Sequence, residues 1–518
     1  MEQPRYPIGI QTFSKIIEEG YTFVDKSKFI PSLISGSQYV FLSRPRRFGK
    51  SLLLSMLHSY FEGDRALFKG LAIDSMDVDW TPRPVLHIDL NPQNYMEEDA
   101  LPQLLDSILS RFAKVYGVEV TASAISIRFA DLIRAIHEKT GQKVIILVDE
   151  YDKPLLGIED NEALFAKNQA ILKGFFGVLK TMDTHIRFAM LTGVARFNKV
   201  SIFSDLNNLR DISLSDEFAD ICGWTERELT DKFEVGISKL ARNLEVSYEE
   251  ALRQMKEFYD GYLFAPRGSR LYNPFSVLNA LADGYLGRYW FQTGTPTFLV
   301  KRIKQSKMLL ASLNNARSMK IDLESVGMDD ANPVPLLFQT GYLTIKRASG
   351  ERYELQFPNK EVETGFAQQL LPLYAPQMKD LSGEFSLWEF QDDLTDGRPE
   401  TFMKRLQTML KSFPYEQHNE KFYQNIVYLL FTLSGVDSRV EEHTNKGRSD
   451  LVVRTAGYIY IFEFKYDGSA EEAMRQIHDR DYAGKFAMDP RPLYLIGANF
   501  SEKERGLEKW IIEKKLPV

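Results

Sequence analysis

The chain has 518 residues, too many for one core, so two or three domains are expected. Hydrophobic residues make up 44%, charged residues 26% and aromatic residues 12%, the profile of an ordinary globular protein rather than a disordered one. The net charge of -7 excludes a uniformly basic nucleic-acid binder and leaves room for a basic groove in one domain.

Cys222 is the single cysteine, which excludes an internal disulfide and a cysteine zinc site. The start, Met1 to Arg5, lacks a basic segment followed by an apolar one, and no apolar run approaches the roughly 18 residues of a membrane span. A cytoplasmic protein with no membrane contact is expected.

Residues 6–30 contain Gly9-Ile10-Gln11-Thr12-Phe13 and Tyr21-Thr22-Phe23-Val24, which read as an ordinary edge segment in preference to a cover over a bound adenine. An apolar strand, Tyr39 to Leu42, then runs into Ser43-Arg44-Pro45-Arg46-Arg47-Phe48-Gly49-Lys50-Ser51, and an apolar helix starts at Gly49. Strand, basic loop and helix N-terminus together form a phosphate-binding loop. Lys50 is placed to reach the β- and γ-phosphates of ATP, and Ser51 to offer its hydroxyl to Mg²⁺. The usual spacing asks for glycine where Arg44 stands. Arg44, Arg46 and Arg47 instead load the loop with guanidinium groups suited to phosphate oxygens.

Pro84 to Leu90 suits a buried parallel strand, and helical spacing follows over Leu101 to Tyr116 and Ser123 to Lys139. Lys143-Val144-Ile145-Ile146-Leu147-Val148-Asp149-Glu150 is a strand that must be covered on both faces, with its carboxylates at the C-terminal edge where ligands bind. Asp149 is the expected Mg²⁺ partner and Glu150 the catalytic group that orients water; Tyr151 and Asp152 read as structural. After a helix, Leu164 to Thr181, the strand Ile186 to Gly193 ends near Thr192, whose hydroxyl could sense the γ-phosphate or the water. Arg196 and Arg210 are candidate charge stabilisers or solvated surface residues.

Arg-Pro-Arg-Arg-Phe-Gly-Lys-Ser, Val-Asp-Glu-Tyr-Asp and Leu-Thr-Gly-Val-Ala-Arg-Phe, with Ser201 to Leu209 beyond, resemble the bacterial AAA-ATPase-like family that carries a C-terminal nuclease domain. The resemblance is strong over residues 6–215 and 415–500 and weak between. It implies an α/β fold with an ASCE-type P-loop core, in which an extra strand lies between the two phosphate-site strands. It also makes Arg44 a family trait.

Residues 216 to about 330 read as helices, with a helical lid or winged-helix module the expected companion of such an ATPase. Tyr259-Asp260-Gly261-Tyr262 and Tyr272-Asn273-Pro274-Phe275 resemble family signatures with a structural role. Short strand-like runs at 343–345 and 353–355 suggest a connector. The expected domains are thus residues 1–215, a middle region 216–330, a connector 331–400 and a C-terminal domain 401–518.

In the last of these, Gly447-Arg448-Ser449-Asp450 opens a strand, Thr455-Ala456-Gly457 turns, and Tyr458 to Lys465 returns. Asp450 followed by Glu463-Phe464-Lys465 is the pattern of PD-(D/E)XK nucleases. A four-residue loop at 455–458 places Asp450 directly opposite Glu463, their Cβ atoms about 5 Å apart. Two such like charges call for a divalent cation, and Mg²⁺ or Mn²⁺ suits oxygen ligands. Lys465 shares the strand face of Glu463 and can orient or help deprotonate a water. Helices at 420–433 and 469–480 and a strand at 493–496 complete an α-β-β-β-α-β order. Glu420 is a weaker metal candidate, Gln476 and Tyr482 lack the Gln-x-x-x-Tyr spacing of recombination-type nucleases, and His443 and His478 read as surface or packing residues.

The expected function is an ATP-binding and hydrolysing P-loop protein fused to a Mg²⁺-dependent nuclease acting on nucleic acid, DNA in preference to RNA. The alternative is a nucleotide-dependent switch that binds DNA or a protein partner, its C-terminal domain a non-cleaving interaction module. ASCE ATPases often act as oligomers, so a homo-oligomer is among the expected assemblies.

Overall fold

The computed structural model describes residues 4–516 apart from 159, 197–207, 294–296, 307, 325–331, 375–386, 412–419, 435–436, 445–446 and 505; within 292–304 and 435–449 several side chains also lie outside the description. The chain forms two compact units, residues 1–302 with 315–362 and residues 303–314 with 363–518. The stretch read as a connector therefore divides, 331–362 falling in the first unit and 363–400 in the second.

The first unit is built on five parallel strands: β1 (Tyr39–Ser43), β2 (Val85–Asp89), β3 (Val144–Asp149), β4 (Ile186–Gly193) and β5 (Arg210–Asp211), in the order β2-β3-β4-β1-β5. As the resemblance implied, β4 lies between β1 and β3. All six residues of β3 are buried, which its unbroken apolar run requires. One face of the sheet, through Phe41, Ile88, Ile146, Val148 and Leu191, packs on helices Ala100–Tyr116, Ile125–Thr140 and Glu162–Thr181. On the other face lies the helix after the loop, Lys50–Phe61, with Phe61 5.8 Å from Phe188 and His58 5.6 Å from His87 between ring centroids.

Helices Glu226–Asn243, Tyr248–Tyr259 and Pro274–Asp283 form a second core through Leu229, Phe233, Met255, Tyr259, Val277 and Leu281. The first begins at a capping box in which Thr225 and Glu228 satisfy each other's backbone N–H groups. Val24 and Tyr6 from the N-terminal segment pack into this core. The strand-like runs at 343–345 and 353–355 fall on two strands of a three-stranded antiparallel sheet of β6 (Ala316–Met319), β7 (Thr344–Ser349) and β8 (Arg352–Gln356), in the order β6-β8-β7.

In the second unit helix Glu420–Leu433 precedes β9 (Asp437–Thr444), β10 (Gly447–Arg454) and β11 (Ile459–Tyr466); helix Ala470–Asp479 leads to β12 (Leu493–Ser501) and a further strand, β13 (Gly506–Lys515). The order is β13-β12-β11-β10-β9, with β11 and β12 parallel and the other pairs antiparallel. The expected α-β-β-β-α-β order is present, extended by β13. Phe402, Phe431 and Phe462 meet on one face, while Met474, Ile477 and Tyr482 cover Val452, Ile461 and Leu495 on the other. Gly497, beside Glu463 in the β11–β12 register, permits a close approach: a Cβ there would lie 2.7 Å from the backbone nitrogen of Met474.

Two candidate active sites

The loop between β1 and its helix is held by two residues with positive φ, Arg47 at 68° and Gly49 at 93°. Gly49 caps the helix, so the first-turn N–H groups lack intrahelical partners and face the space above the loop. That space is a cavity of ≈ 340 Å³, within the range of small-ligand sites. Arg46, Arg47, Gly49, Lys50, Ser51 and Glu150 all line it.

Lys50 is only 5% exposed, and its Nζ donates to the carbonyls of Arg44 (2.9 Å) and Pro45 (3.1 Å). Burial pushes its pKa down, opposed by the carboxylates of Glu150, Asp149 and Asp152. Asp149 and Thr192 stand at adjacent strand ends behind the cavity wall rather than on it. The Thr192 hydroxyl donates to Asp149 Oδ1 at 2.7 Å, and the amide of Glu150 donates to the same oxygen at 3.1 Å. Glu150 turns into the cavity with φ 51°, a backbone state costly for a non-glycine residue and frequent at functional sites.

Arg44 corrects the reading of the loop as three guanidinium groups around phosphate. It is 1% exposed and does not line the cavity; its guanidinium donates to the carbonyls of Ser43, Ser213, Phe218 and Ala219 and lies 4.2 Å over the ring of Phe264. With proline at the next position, the chain leaves β1 so that this side chain enters the protein and braces the loop from behind. Arg47 stacks 4.7 Å over Phe275, and the Arg46 carbonyl accepts from Trp290 Nε1 at 3.2 Å.

Arg196 and Arg210 also lie away from the cavity. Arg196 is buried and ion-paired with Asp211, and Arg210 pairs with Glu217 at 3.3 Å. Of the stretch Ser201 to Leu209, residues 201–207 lie outside the described residues. Asp152 accepts from the amides of Val194 (2.9 Å) and Ala195 (2.8 Å), and burial pushes its pKa up to about 6. Tyr151 donates to the Ala195 carbonyl at 2.7 Å, so both residues tie the end of β3 to the segment after β4.

Sequence reasoning missed several cavity residues: Asn91, Lys153, Cys222 and, from the helical part, Phe275 and Leu278. Gly9, Ile10, Gln11, Phe23 and Val24 of the N-terminal segment line the same space. Only Lys153, three residues after Glu150, carried a local signal that could have been used.

In the second unit the β10–β11 pairing runs Leu451↔Phe462, Val452↔Ile461, Val453↔Tyr460 and Arg454↔Ile459. The loop closes with the Thr455 amide on the Tyr458 carbonyl at 2.9 Å, as the four-residue turn required. The paired residues end at Leu451 and Phe462, and Asp450 and Glu463 are the next residues outward on the two strands. Asp450 Oδ2 accepts from the Phe464 amide at 2.8 Å. Glu463 is 1% exposed, and burial followed by the charge of Asp450 pushes its pKa up to about 7. Its Oε1 accepts from Lys465 Nζ at 3.0 Å, while its Oε2 is buried without a hydrogen-bond partner. Asp450, Glu463 and Lys465 are thus brought together.

Residues 7–203 match the family described as Predicted AAA-ATPase, and residues 418–510 match the PD-(D/E)XK nuclease superfamily. A protein from Azotobacter chroococcum mcd 1, named "Uncharacterized protein in vnfD 5'region", is 34% identical over 532 residues, covering 99% of each chain. The chain belongs to the AAA-ATPase-like family with a C-terminal PD-(D/E)XK nuclease domain.

The nuclease-like domain offers a divalent cation two carboxylates, one with an orphaned buried oxygen, an arrangement that a cation would satisfy. Among the described residues no group of three or more His, Cys, Asp or Glu side chains gathers to hold a metal. Two carboxylates suffice for Mg²⁺, which keeps several waters and takes the rest of its shell from them and from substrate phosphate. Glu420 is exposed and accepts from Gln424 at 3.3 Å, and His478 pairs with Glu513 at 3.0 Å. The side chain of His443 lies outside the description. In the ATPase-like domain, of the two residues expected to hold Mg²⁺, Ser51 lines the cavity and Asp149 stands behind its wall. Among the described residues no helix is long and apolar enough to cross a membrane.

Proposed function

We propose that the first unit binds and hydrolyses ATP with Mg²⁺, and that the second cleaves phosphodiester bonds of DNA with Mg²⁺ or Mn²⁺. The reading rests on convergence: Lys50, Ser51 and Glu150 meet around one cavity, and Asp450, Glu463 and Lys465 meet on one strand pair.

In the ATPase-like site the phosphates lie over the amides at Gly49–Ser51, with Lys50 leaving its loop carbonyls to reach them and Arg46 and Arg47 adding charge. The base packs on apolar lining residues such as Ile10, Val24 and Leu278. Glu150 orients and deprotonates the attacking water. Thr192 holds Asp149 in the orientation that its share of Mg²⁺ binding requires. In the nuclease-like site Asp450 and Glu463 hold the cation, which supplies charge stabilisation for the attacked phosphate. Lys465 positions the water and assists its deprotonation.

Phosphate release from ATP by wild type, Lys50→Ala and Glu150→Gln tests the first assignment; release that persists in both variants overturns it. Plasmid cutting with Mg²⁺ by wild type and Asp450→Ala tests the second. No cutting by wild type, or equal cutting by the variant, favours a switch whose C-terminal domain only binds.

A further inference from the structure

Lys465 has two anchors, and only one belongs to the carboxylate pair. Its Nζ donates to Glu463 Oε1 at 3.0 Å and to Gln476 Oε1 at 2.8 Å. Gln476 stands on helix Ala470–Asp479, which the missing side chain at Gly497 lets close onto the sheet. Its Nε2 donates to the Tyr482 hydroxyl at 3.2 Å, and this orients the amide with its oxygen toward the lysine. Tyr482 is itself buried, so the acceptor is held ready rather than recruited from solvent.

The ammonium and a cation compete for the same carboxylate. Glu463 offers one oxygen without a partner and one shared with Lys465. A divalent cation between Asp450 and Glu463 draws on both and repels the ammonium. A lysine with no other acceptor holds Glu463 against the cation. A lysine with a second acceptor gives up Glu463 and stays.

We propose that Gln476, oriented by Tyr482, is a positioning residue that retains Lys465 in the site when a divalent cation takes over Glu463. The catalytic consequence rests on the nuclease reading; the exchange of partners is measurable without any cutting.

The test uses the full chain, with Mn²⁺ binding followed by titration calorimetry and plasmid cutting measured in parallel. Gln476→Ala is expected to weaken Mn²⁺ binding about 10-fold and slow cutting about 10- to 100-fold, the usual range for residues that support metal ligands. Gln476→Glu, which restores an acceptor, is expected to cut within a few-fold of wild type. In a Lys465→Ala background, Gln476→Ala is expected to leave Mn²⁺ affinity unchanged, because the group it acts through is gone. Wild-type Mn²⁺ affinity in Gln476→Ala, equal weakening with and without Lys465, or no rescue by Gln476→Glu overturns the proposal. Should Gln476→Ala fail to fold, Tyr482→Phe removes only the orienting hydroxyl and is expected to shift Mn²⁺ affinity the same way, with no shift overturning the proposal. Wild type that binds Mn²⁺ but cuts nothing refutes the nuclease reading, while the Lys465 comparison still decides the role of Gln476.

Discussion

Thr192 Oγ1 donates to Asp149 Oδ1 at 2.7 Å, joining the ends of the neighbouring strands β4 and β3. Thr192 is fully buried, and the bond fixes which way the Asp149 carboxylate faces. Thr192→Val keeps the shape and removes the donor, leaving a buried acceptor short of a partner at a cost of about 1–3 kcal/mol. The expected result is a modest fall in thermal midpoint, ATP affinity within a few-fold of wild type, and phosphate release slowed at least about 10-fold. Unchanged release would mean that the orientation of Asp149 does not matter to hydrolysis.

Arg44 and its neighbours separate bracing from binding. Arg44→Met strips donors from the carbonyls of Ser213, Phe218 and Ala219, so differential scanning is expected to show the first unit destabilised by several times about 1 kcal/mol. Arg46→Ala and Arg47→Ala, at the cavity, are expected to keep the midpoint and weaken ATP binding. A stable Arg44→Met that has lost ATP binding would restore Arg44 to the phosphate site.

Glu463 makes the stability of the second unit depend on pH. Its folded pKa, pushed up to about 7, lies above the ordinary 4.5, so the stability it contributes is present below 4.5 and is lost as pH rises through 7. At 1.36 kcal/mol per unit this amounts to roughly 3 kcal/mol between those limits without metal. Mn²⁺ holds the carboxylate ionised and is expected to bind more tightly as pH rises over the same window. Urea midpoints in EDTA, compared between wild type and Glu463→Gln, isolate this slope from that of Asp152, which titrates in the first unit. A slope that survives in Glu463→Gln would assign it to another group.

Gly497→Ala places a methyl group 2.7 Å from the Met474 backbone. Helix Ala470–Asp479 must then lift, at a cost of about 1–3 kcal/mol for overpacking, and Gln476 moves away from Lys465. Slower plasmid cutting together with a lower midpoint is expected; an unchanged midpoint would show that the helix has room to give.

Much of the framework around the two candidate sites was legible because the signals were local. The run Val144 to Asp149 could only be a buried strand, and a four-residue turn set the register of β10 against β11 from Arg454 and Ile459 to Leu451 and Phe462. Side-chain direction was less legible. Arg44 looked like a phosphate ligand because arginines suit phosphate, yet its partners at 213–219 are some 170 residues distant and no spacing rule announces them. The same holds for Phe275 and Leu278, which reach the cavity only through packing of the helical core, and for Gln476, whose approach to Lys465 depends on a glycine in another strand. The capping box of Thr225 and Glu228 was readable in principle, but not its consequence that Glu228 also binds Lys26 at 2.7 Å beside the cavity.

A single reaction tests whether one chain carries both an ATP-hydrolysing and a DNA-cleaving site. Phosphate release and plasmid nicking are followed together, with Mg²⁺ and ATP, for wild type, Lys50→Ala and Glu463→Ala. Both activities are expected in wild type, loss of phosphate release in Lys50→Ala, and in Glu463→Ala a loss of nicking with phosphate release intact. Nicking that continues in Glu463→Ala, or phosphate release that continues in Lys50→Ala, would contradict it.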